Sequence, residues 1–449
     1  MAAVSTSNLS AVLMRTYSQR DWFAPFERKA TPFLDQCQDF DNEAPLGAGR
    51  YFELWLQDSH NTGATAESGN LSSISAPSSQ QGSVTGIQIQ SVFGVSELMM
   101  SAGANGGNIG MDIIHRLVEV STRNLMTAIN HNTLGHGTGR LALVNANTSS
   151  STSFTCKLPE FHFQLRSGQR ISFYDLDTGG TIQNATGTTT TVAINYVNPA
   201  TGVVTLDTSS TLTANWGVYQ SLSATGTLAG ASVTTYGVAT NGIRGIVDAG
   251  TYASTIFGLS RATYPDLNAQ VLDTTTGQQA YSEALVRKGI NLAFYASGAD
   301  VESLWCNRGI ISEHINSLVG DRRYTVSGAK DVPGYAFGYD PNNLAFMYKG
   351  KAIPFKVDED LPARELYGLT NSLWRRHILR KASWLGDGSG ADGSPSPVLM
   401  QTPATSTYAT SKIGAMMWIG NVAHISPKSQ IVWRNIADSE LAGDIVPSP

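Results

Sequence analysis

The chain has 449 residues, with 30 Lys and Arg against 35 Asp and Glu, for a formal net charge of −5. Charged residues make up 14% where about 25% is usual, and 41% are hydrophobic. This excludes charge-driven disorder over most of the length and leaves enough apolar side chain for a large core. Mild acidity excludes a protein that holds nucleic acid by one wide basic surface, and a charge-poor exterior repels its own copies weakly.

Length alone suggests about three domains. Cys37, Cys156 and Cys306 are odd in number, far apart and never in a CxxC pair. Buried reduced thiols are therefore expected, not a zinc knuckle, redox dithiol or disulfide framework. The first twenty residues show no basic stretch ahead of an apolar one, and no run of about 18 apolar residues occurs. Neither a secretory signal nor a membrane span is expected, and folding in a cytoplasm follows.

In chain order, Leu9, Val12 and Leu13 give residues 8–19 a short amphipathic pattern behind Ser7 or Asn8 as a cap. From there to Gly49, Pro25, Pro32 and Pro45 prevent a long helix. The same stretch carries Trp22, Phe23, Phe26, Phe33 and Phe40. Such an aromatic arm builds no core alone and is expected to lie across its own domain or a neighbour's. Residues 50–57 and 84–95 alternate as strands, and the segment between them is almost wholly polar. Together they predict a long hairpin whose tip is ordered only by contact with something else.

Residues 112–130 give the strongest helix, with Ile114, Leu117, Val118, Leu125, Ala128 and Ile129 on one face, broken by Gly135, Gly137 and Gly139. Residues 171–243 carry only Asp175, Asp177 and Asp207 as charges, and alternate in short runs between glycine-rich turns. They predict a small all-β domain, sandwich or barrel, whose bare surface suits contact. Residues 280–296 and 300–319 read as helices, 352–358 and 414–432 as strands, and 384–398 as a loop.

The search for chemistry finds no supported enzyme site. The phosphate-loop pattern is absent. His131 and His136 stand five apart, the wrong spacing for two ligands on one helical face, so structural histidines are expected. Gly258-Leu259-Ser260-Arg261-Ala262 approximates GxSxG, but Pro265 forbids the helix that a nucleophile elbow requires. The run DGSGADG at 387–393 lacks the Glu that closes a calcium loop, Val398 standing there instead. Asp175 and Asp177 sit where aspartates are ordinary turn residues. No metal or cofactor is expected. The densest basic run, LWRRHILRK at 373–381, reads two ways. One is a solvated face with Trp374 and Ile378 packed inwards; the other is a strip of Arg375, Arg376, Arg380 and Lys381 facing DNA or another subunit.

Taken in order, these elements resemble the tailed-bacteriophage major capsid protein family of Hong Kong 97 type. The polar-tipped hairpin is similar to the family's extended loop, and 112–130 to its long spine helix. LGHGTGRLALV and NGIRGIVDAGTYAS are similar to the two halves of the segment leaving that helix. AIPFKVDEDLPARELYGLTNSLWRR and GNVAHISPKSQIVWRNI are similar to the later strands. The resemblance implies an α+β chain with an arm at 1–49, extended loop at 50–96 and peripheral domain with spine helix at 97–149. An inserted all-β domain would occupy 150–240, a mainly axial domain 241–405, and a return to the peripheral domain 406–449.

It implies a late structural protein of the virion, made in a host cytoplasm, that self-assembles through pentamers and hexamers into an icosahedral shell around double-stranded DNA. Packaged DNA would touch it weakly, and separate scaffolding, portal and decoration proteins are its expected partners, with no membrane. Trp22, Phe26, Arg50 and Trp55 would make arm and hairpin contacts between subunits. Some members cross-link through a Lys on the extended loop. Here no Lys occurs between Lys29 and Lys157, so no such bond is expected. Two other readings of the same text are a cellular nanocompartment shell and a secreted or surface β-rich protein that binds carbohydrate or a receptor.

Overall fold

The computed structural model describes residues 32–40, 45–46, 49–57, 78–96, 109–157, 164–175, 181–183, 192–198, 201–221, 239–273, 277–319, 345–384, 400–401 and 411–438. The expected helix at 8–19, Trp22, Phe26 and the glycine-rich loop near 387–393 fall outside them.

Helix α1 (Pro32–Gln36) opens on proline, whose fixed φ and missing N–H suit a first helical turn. Strands β1 (Gln38–Asp39), β2 (Pro45–Leu46), β3 (Gly49–Gln57) and β4 (Ser78–Thr85) follow. β2, β3 and β4 form an antiparallel sheet with Arg50 opposite Val84 and Trp55 opposite Ser79: a hairpin forms, but its second strand comes mostly from the segment expected to be its polar tip and not from 84–95. Past Gly86 the chain continues as β5 (Ile87–Ser96) with a different partner. Helix α2 (Ile109–Leu134) runs longer than its sequence pattern at both ends and buries Leu125, Ile129 and Leu134. Gly137 (φ 87°) and Gly139 (φ 77°) then turn the chain through left-handed conformations that a side chain would oppose.

Seven strands come next: β6 (Arg140–Leu143), β7 (Thr148–Thr155), β8 (Arg170–Asp175), β9 (Thr181–Gln183), β10 (Val192–Val197), β11 (Val203–Leu212) and β12 (Gly217–Gln220). They pair in the order β6-β12-β8-β10-β11-β7, with β9 beside β8. A bridge from Val144 to Cys156 joins the first strand to the last, and the sheet closes as a barrel. In β11, Val204 and Leu206 point inwards while Asp207 is exposed, and Phe154 meets Phe173 edge-on at 5.6 Å in the core. The barrel takes in residues 140–148, which the sequence grouped with the helix. TSSSTSFT, forming β7, buries only Phe154 fully, so its text reads as loop. The chain returns where it left. Gly245 N–H donates to Gly135 O at 3.3 Å, and a Cβ on Gly242 would stand 2.2 Å from Gly135 O.

Helix α3 (Ile243–Ile246) rests on that crossing. β13 (Thr255–Ile256) and β14 (Leu259–Ser260) make a hairpin turning on Phe257 (φ 53°) and Gly258 (φ 80°), the two-residue turn with both φ positive. β15 (Gln270–Leu272) precedes α4 (Glu283–Ser297), which Ser282 caps by accepting the Leu285 N–H and Gly298 (φ 74°) ends. Then come β16 (Ser303–Cys306), α5 (Arg308–Val319), β17 (Ala345–Tyr348), β18 (Lys351–Val357) and β19 (Leu366–Leu369). The chain continues through β20 (Trp374–Trp384), β21 (Met400–Gln401), β22 (Ser411–His424) and β23 (Ile431–Trp433).

The single helix expected over 300–319 is corrected here: its first part is strand β16, inside a six-stranded sheet ordered β15-β23-β19-β16-β18-β17. All four residues of β16 are buried, so they carry no alternation to mark a strand. One face of that sheet packs Leu304, Phe355 and Trp433 on α4 and α5 through Val286, Ile290 and Ile310. The other face gives Trp305, Tyr367, Leu369 and Val432 to the central core with Phe33, Leu125 and Trp374. A frame sheet completes the fold: β22 lies between β5 on one side and β20 with β21 on the other, and β1 pairs in parallel with β20.

Candidate assembly surfaces

The arm is anchored where α1 meets the core. Phe33 stands edge-on to Trp305 at 5.6 Å and to Trp374 at 4.8 Å, and Trp374 is edge-on to His424 at 4.9 Å. Burial pushes the His424 imidazole down to about 3, so it stays neutral here; Ser426 N–H donates to its Nδ1 at 3.1 Å. Burial also pushes the Cys37 thiol up to about 12, and all three cysteines are buried and free. At the rim, Arg376 Nε donates to Asp39 Oδ1 at 2.7 Å and its Nη1 to Leu34 O at 3.2 Å. The Arg376 hydrogen bond holds the Asp39 carboxyl below its ordinary value despite slight burial.

The hairpin is gripped by its root. Phe52 lies 5.7 Å from Phe40 and 5.2 Å from Phe257. Gly82 allows close packing there, since a Cβ would meet Leu54, Phe52 and Phe257 between 3.0 and 3.3 Å, tighter than ordinary contact. Ser83 N–H donates to Phe257 O at 2.9 Å, and Asn421 Nδ2 donates to Thr85 O at 2.7 Å. Of the contact residues expected from sequence, Arg50 is half-buried in β3, and the side chain of Trp55 lies outside the described residues, as do Trp22 and Phe26.

The basic run is strand β20, with Trp374 buried and Ile378 packed against the central core. Three of its four cations have partners within the subunit. Arg376 is committed to Asp39 and α1; Arg375 Nη1 donates to Ser372 O at 2.7 Å; Arg380 Nε donates to Ser383 Oγ at 2.8 Å. Lys381 is exposed.

A junction that no sequence motif marks sits in the turn between β18 and β19. Asn130 Nδ2 donates to Asp360 Oδ2 at 2.6 Å and Asp358 Oδ1 at 3.3 Å, while His131 Nε2 lies 2.8 Å from Asp360 Oδ1. Gln164 donates to Asp360 O at 3.1 Å, and Ala363 enters the barrel core. One turn thus touches the end of α2, the barrel and the six-stranded sheet. Beside it Arg244 pairs with Glu365 at 3.2 Å and Arg434 with Asp248 at 2.9 Å, both guanidiniums lying over the Tyr252 ring at 4.2 and 4.7 Å. Burial drives the Asp248 carboxyl up, but the Tyr252 N–H and Arg434 outweigh it and hold the group below its ordinary value. Asn130 and Asp358, Arg244 and Glu365, and Asp248 and Arg434 are each more than 100 positions apart, so only folding brings them together.

Ser260 of the GxSxG-like run lies on a hairpin strand, and His136 bonds Thr138 at 3.3 Å. Among the described residues no group of three or more His, Cys, Asp or Glu is arranged for a metal, and no helix is long and apolar enough to cross a membrane.

No family model matches the chain, and no curated protein matches it. Solved structures do. A protein of the cyanophage A-1(L) capsid asymmetric unit is 12% identical with a TM-score of 0.53, over 93% of this chain and 95% of that one. A chain of mycobacterium phage Bobi is 7% identical with a TM-score of 0.43, over 96% and 99%. The SrpI encapsulin of Synechococcus elongatus PCC 7942 is 8% identical with a TM-score of 0.39, over 95% of each.

Proposed function

We propose that this chain, which has the α+β Hong Kong 97-type fold of phage capsid proteins, is a major capsid protein that assembles into an icosahedral shell around packaged double-stranded DNA. The observation that carries the reading is the end-to-end likeness to the cyanophage capsid protein, which leaves 7% of this chain unmatched. A hairpin held by its root and an arm docked through Phe33 fit the same role. The role is mechanical, with no catalytic step. Closed rings of five and six copies need head-to-tail contacts, each weak enough to correct errors and numerous enough to hold. The exposed Lys381 is the strand's contribution to DNA or neighbour contact. Scaffolding, portal and decoration proteins are the partners that such a shell, made in the host cytoplasm, calls for. The barrel is proposed as a module inserted in the shell fold, set on the outside to strengthen contacts between capsomers.

The test is size-exclusion with light scattering of the full chain, alone and co-expressed with a scaffold, followed by negative-stain imaging. Hollow particles of megadalton mass are expected, and nuclease-protected DNA in particles from infected cells separates a phage head from an enzyme-filled compartment. A lasting species near 48 kDa under all these conditions overturns the reading.

A further inference from the structure

The six-stranded sheet is covered unevenly. On one face Phe346, Ile353 and Phe355 of β17 and β18 are buried in the core formed with α4 and α5. On the opposite face the central core reaches as far as Trp305 of β16, which is 1% exposed. Beyond Trp305 the register fixes which side chains follow on that face. Lys356 stands beside Trp305, Pro354 opposite Ala345, and Ala352 opposite Met347. Met347 is 63% exposed, Ala352 is exposed, and Ala345, Pro354 and Lys356 are half-buried. Among the described residues none of the five belongs to a core.

Charge shows what this open half lacks. Residues 345–357 contain Lys349, Lys351 and Lys356 but no Asp or Glu. Lys349 lies over the Phe294 and Tyr348 rings at 5.1 and 5.2 Å, and Lys351 pairs with Asp300 at 2.5 Å. Lys356 has only the Trp305 ring, 5.7 Å from its Nζ. Burial lowers the Lys356 pKa, and no carboxylate acts to raise it. A half-buried cation without a counter-charge carries a desolvation cost that an incoming carboxylate offsets. The hairpin has the opposite feature. Glu53 is exposed on β3 and, among the described side chains, makes no hydrogen bond or ion pair. Asp35, the other acid without one, lies in the field of Arg376. Glu53 shares its face of the hairpin with Tyr51, and with Ser83 and Gln81 on the paired strand, while Phe52 and Leu54 are buried on the other face.

We propose that the open half of the six-stranded sheet receives the outer face of the β3–β4 hairpin of a second copy, with the Glu53 carboxylate of that copy against the Lys356 ammonium. Charge complementarity selects the occupant: the unpaired acid and the unpaired half-buried base belong to one chain and do not meet within it. Head-to-tail association sets two different surfaces of identical copies together, so the two meet between subunits. Two flat strand pairs also pack face to face at about 10 Å, Tyr51 lying over Met347, Ala352 and Pro354. The contact rests on the shell reading in requiring that copies associate, and it names one way in which they do.

The experiment uses the full chain. Carbodiimide joins a carboxylate directly to an amine in contact with it. Treatment of assembled particles is expected to link Glu53 to Lys356 between copies, read by mass spectrometry, and to give a ladder of oligomers in denaturing gels. Unassembled chain should give neither. Charge reversal is the second readout. Glu53 is exposed, so Glu53→Lys leaves the fold intact, yet it should raise the protein concentration needed for assembly at least about tenfold, because like charges then face each other. Adding Lys356→Glu to Glu53→Lys should restore assembly. Particles in which Lys356 couples to another carboxylate, to a co-purifying protein or to nothing overturn the pairing and leave the shell reading standing. Glu53→Lys particles forming at an unchanged concentration do the same. Absence of particles from the unmodified chain under every condition overturns the shell reading itself.

Discussion

The barrel and the frame sheet end their hydrogen-bond ladders in opposite ways. The barrel closes through Val144 and Cys156, and among the described residues its core draws on 142–218 with Ala363 from elsewhere. Among the described residues the frame sheet does not close on itself, and the core beneath it gathers side chains from Phe33 to Val432. A closed ladder with a local core is self-sufficient and free to be carried as a module. An open ladder over a long-range core depends on the whole chain.

Two matched substitutions break the comparison if it is wrong. Phe33 and Phe173 are each about as buried as a side chain becomes, one in the central core and one in the barrel. Each change to Ala should cost about 3–5 kcal/mol locally. Phe33→Ala is expected to free the arm and lower protection in the frame sheet while barrel amides keep theirs, and Phe173→Ala to do the reverse. Hydrogen exchange reads both, and loss of protection throughout the chain in either variant refutes a self-sufficient barrel.

Acid provides the next largest contrast. The folded pKa of His424, near 3, lies below the ordinary value of about 6.5, so the unfolded chain takes up this proton first as pH falls. Stability from this group is complete above about pH 6.5 and declines by up to about 3 kcal/mol at pH 4. The arm dock should therefore weaken between pH 6.5 and 4 in urea titrations. Among the described residues the barrel core holds no histidine, and it is expected to lose less. His424→Gln should flatten the slope, and an unchanged slope removes His424 as its source.

How legible each region was in the text follows from the same physics. The barrel and hairpin alternate because one side of each strand faces out, and α2 shows its spacing because one face is solvated. β16 is buried on both faces and so was taken into a helix. β20 was seen as charge rather than as strand, because its two register shifts break the period of two. The junction of Asn130 and His131 with Asp358 and Asp360 spans 228 to 230 positions, and no local pattern foretells such a meeting. Arg376 read as a free cation because its partner, Asp39, lies 337 residues earlier.

The place where the barrel leaves and rejoins the chain sharpens the comparison further. A Cβ on Gly242 would lie 2.2 Å from Gly135 O and 2.8 Å from Asn132 O, both backbone atoms that cannot swing aside. Gly242→Ala should cost about 1–3 kcal/mol and lower protection at the end of α2 and in α3, with the barrel itself intact. Equal loss inside the barrel means that its fold depends on the crossing.

The smallest effect belongs to the Asp39–Arg376 pair, and its size tells which force docks the arm. Asp39 is 65% exposed, so the pair is screened and worth at most about 1 kcal/mol. Its carboxyl pKa is lowered in the fold, so the contribution is present above about pH 4 and lost as pH falls through the folded value. Asp39→Asn should therefore move the unfolding midpoint by far less than Phe33→Ala, and the difference should shrink further in high salt. Should Asp39→Asn instead release the arm to limited proteolysis as fully as Phe33→Ala does, the ion pair rather than the Phe33–Trp374 contact is what fastens the arm to the frame.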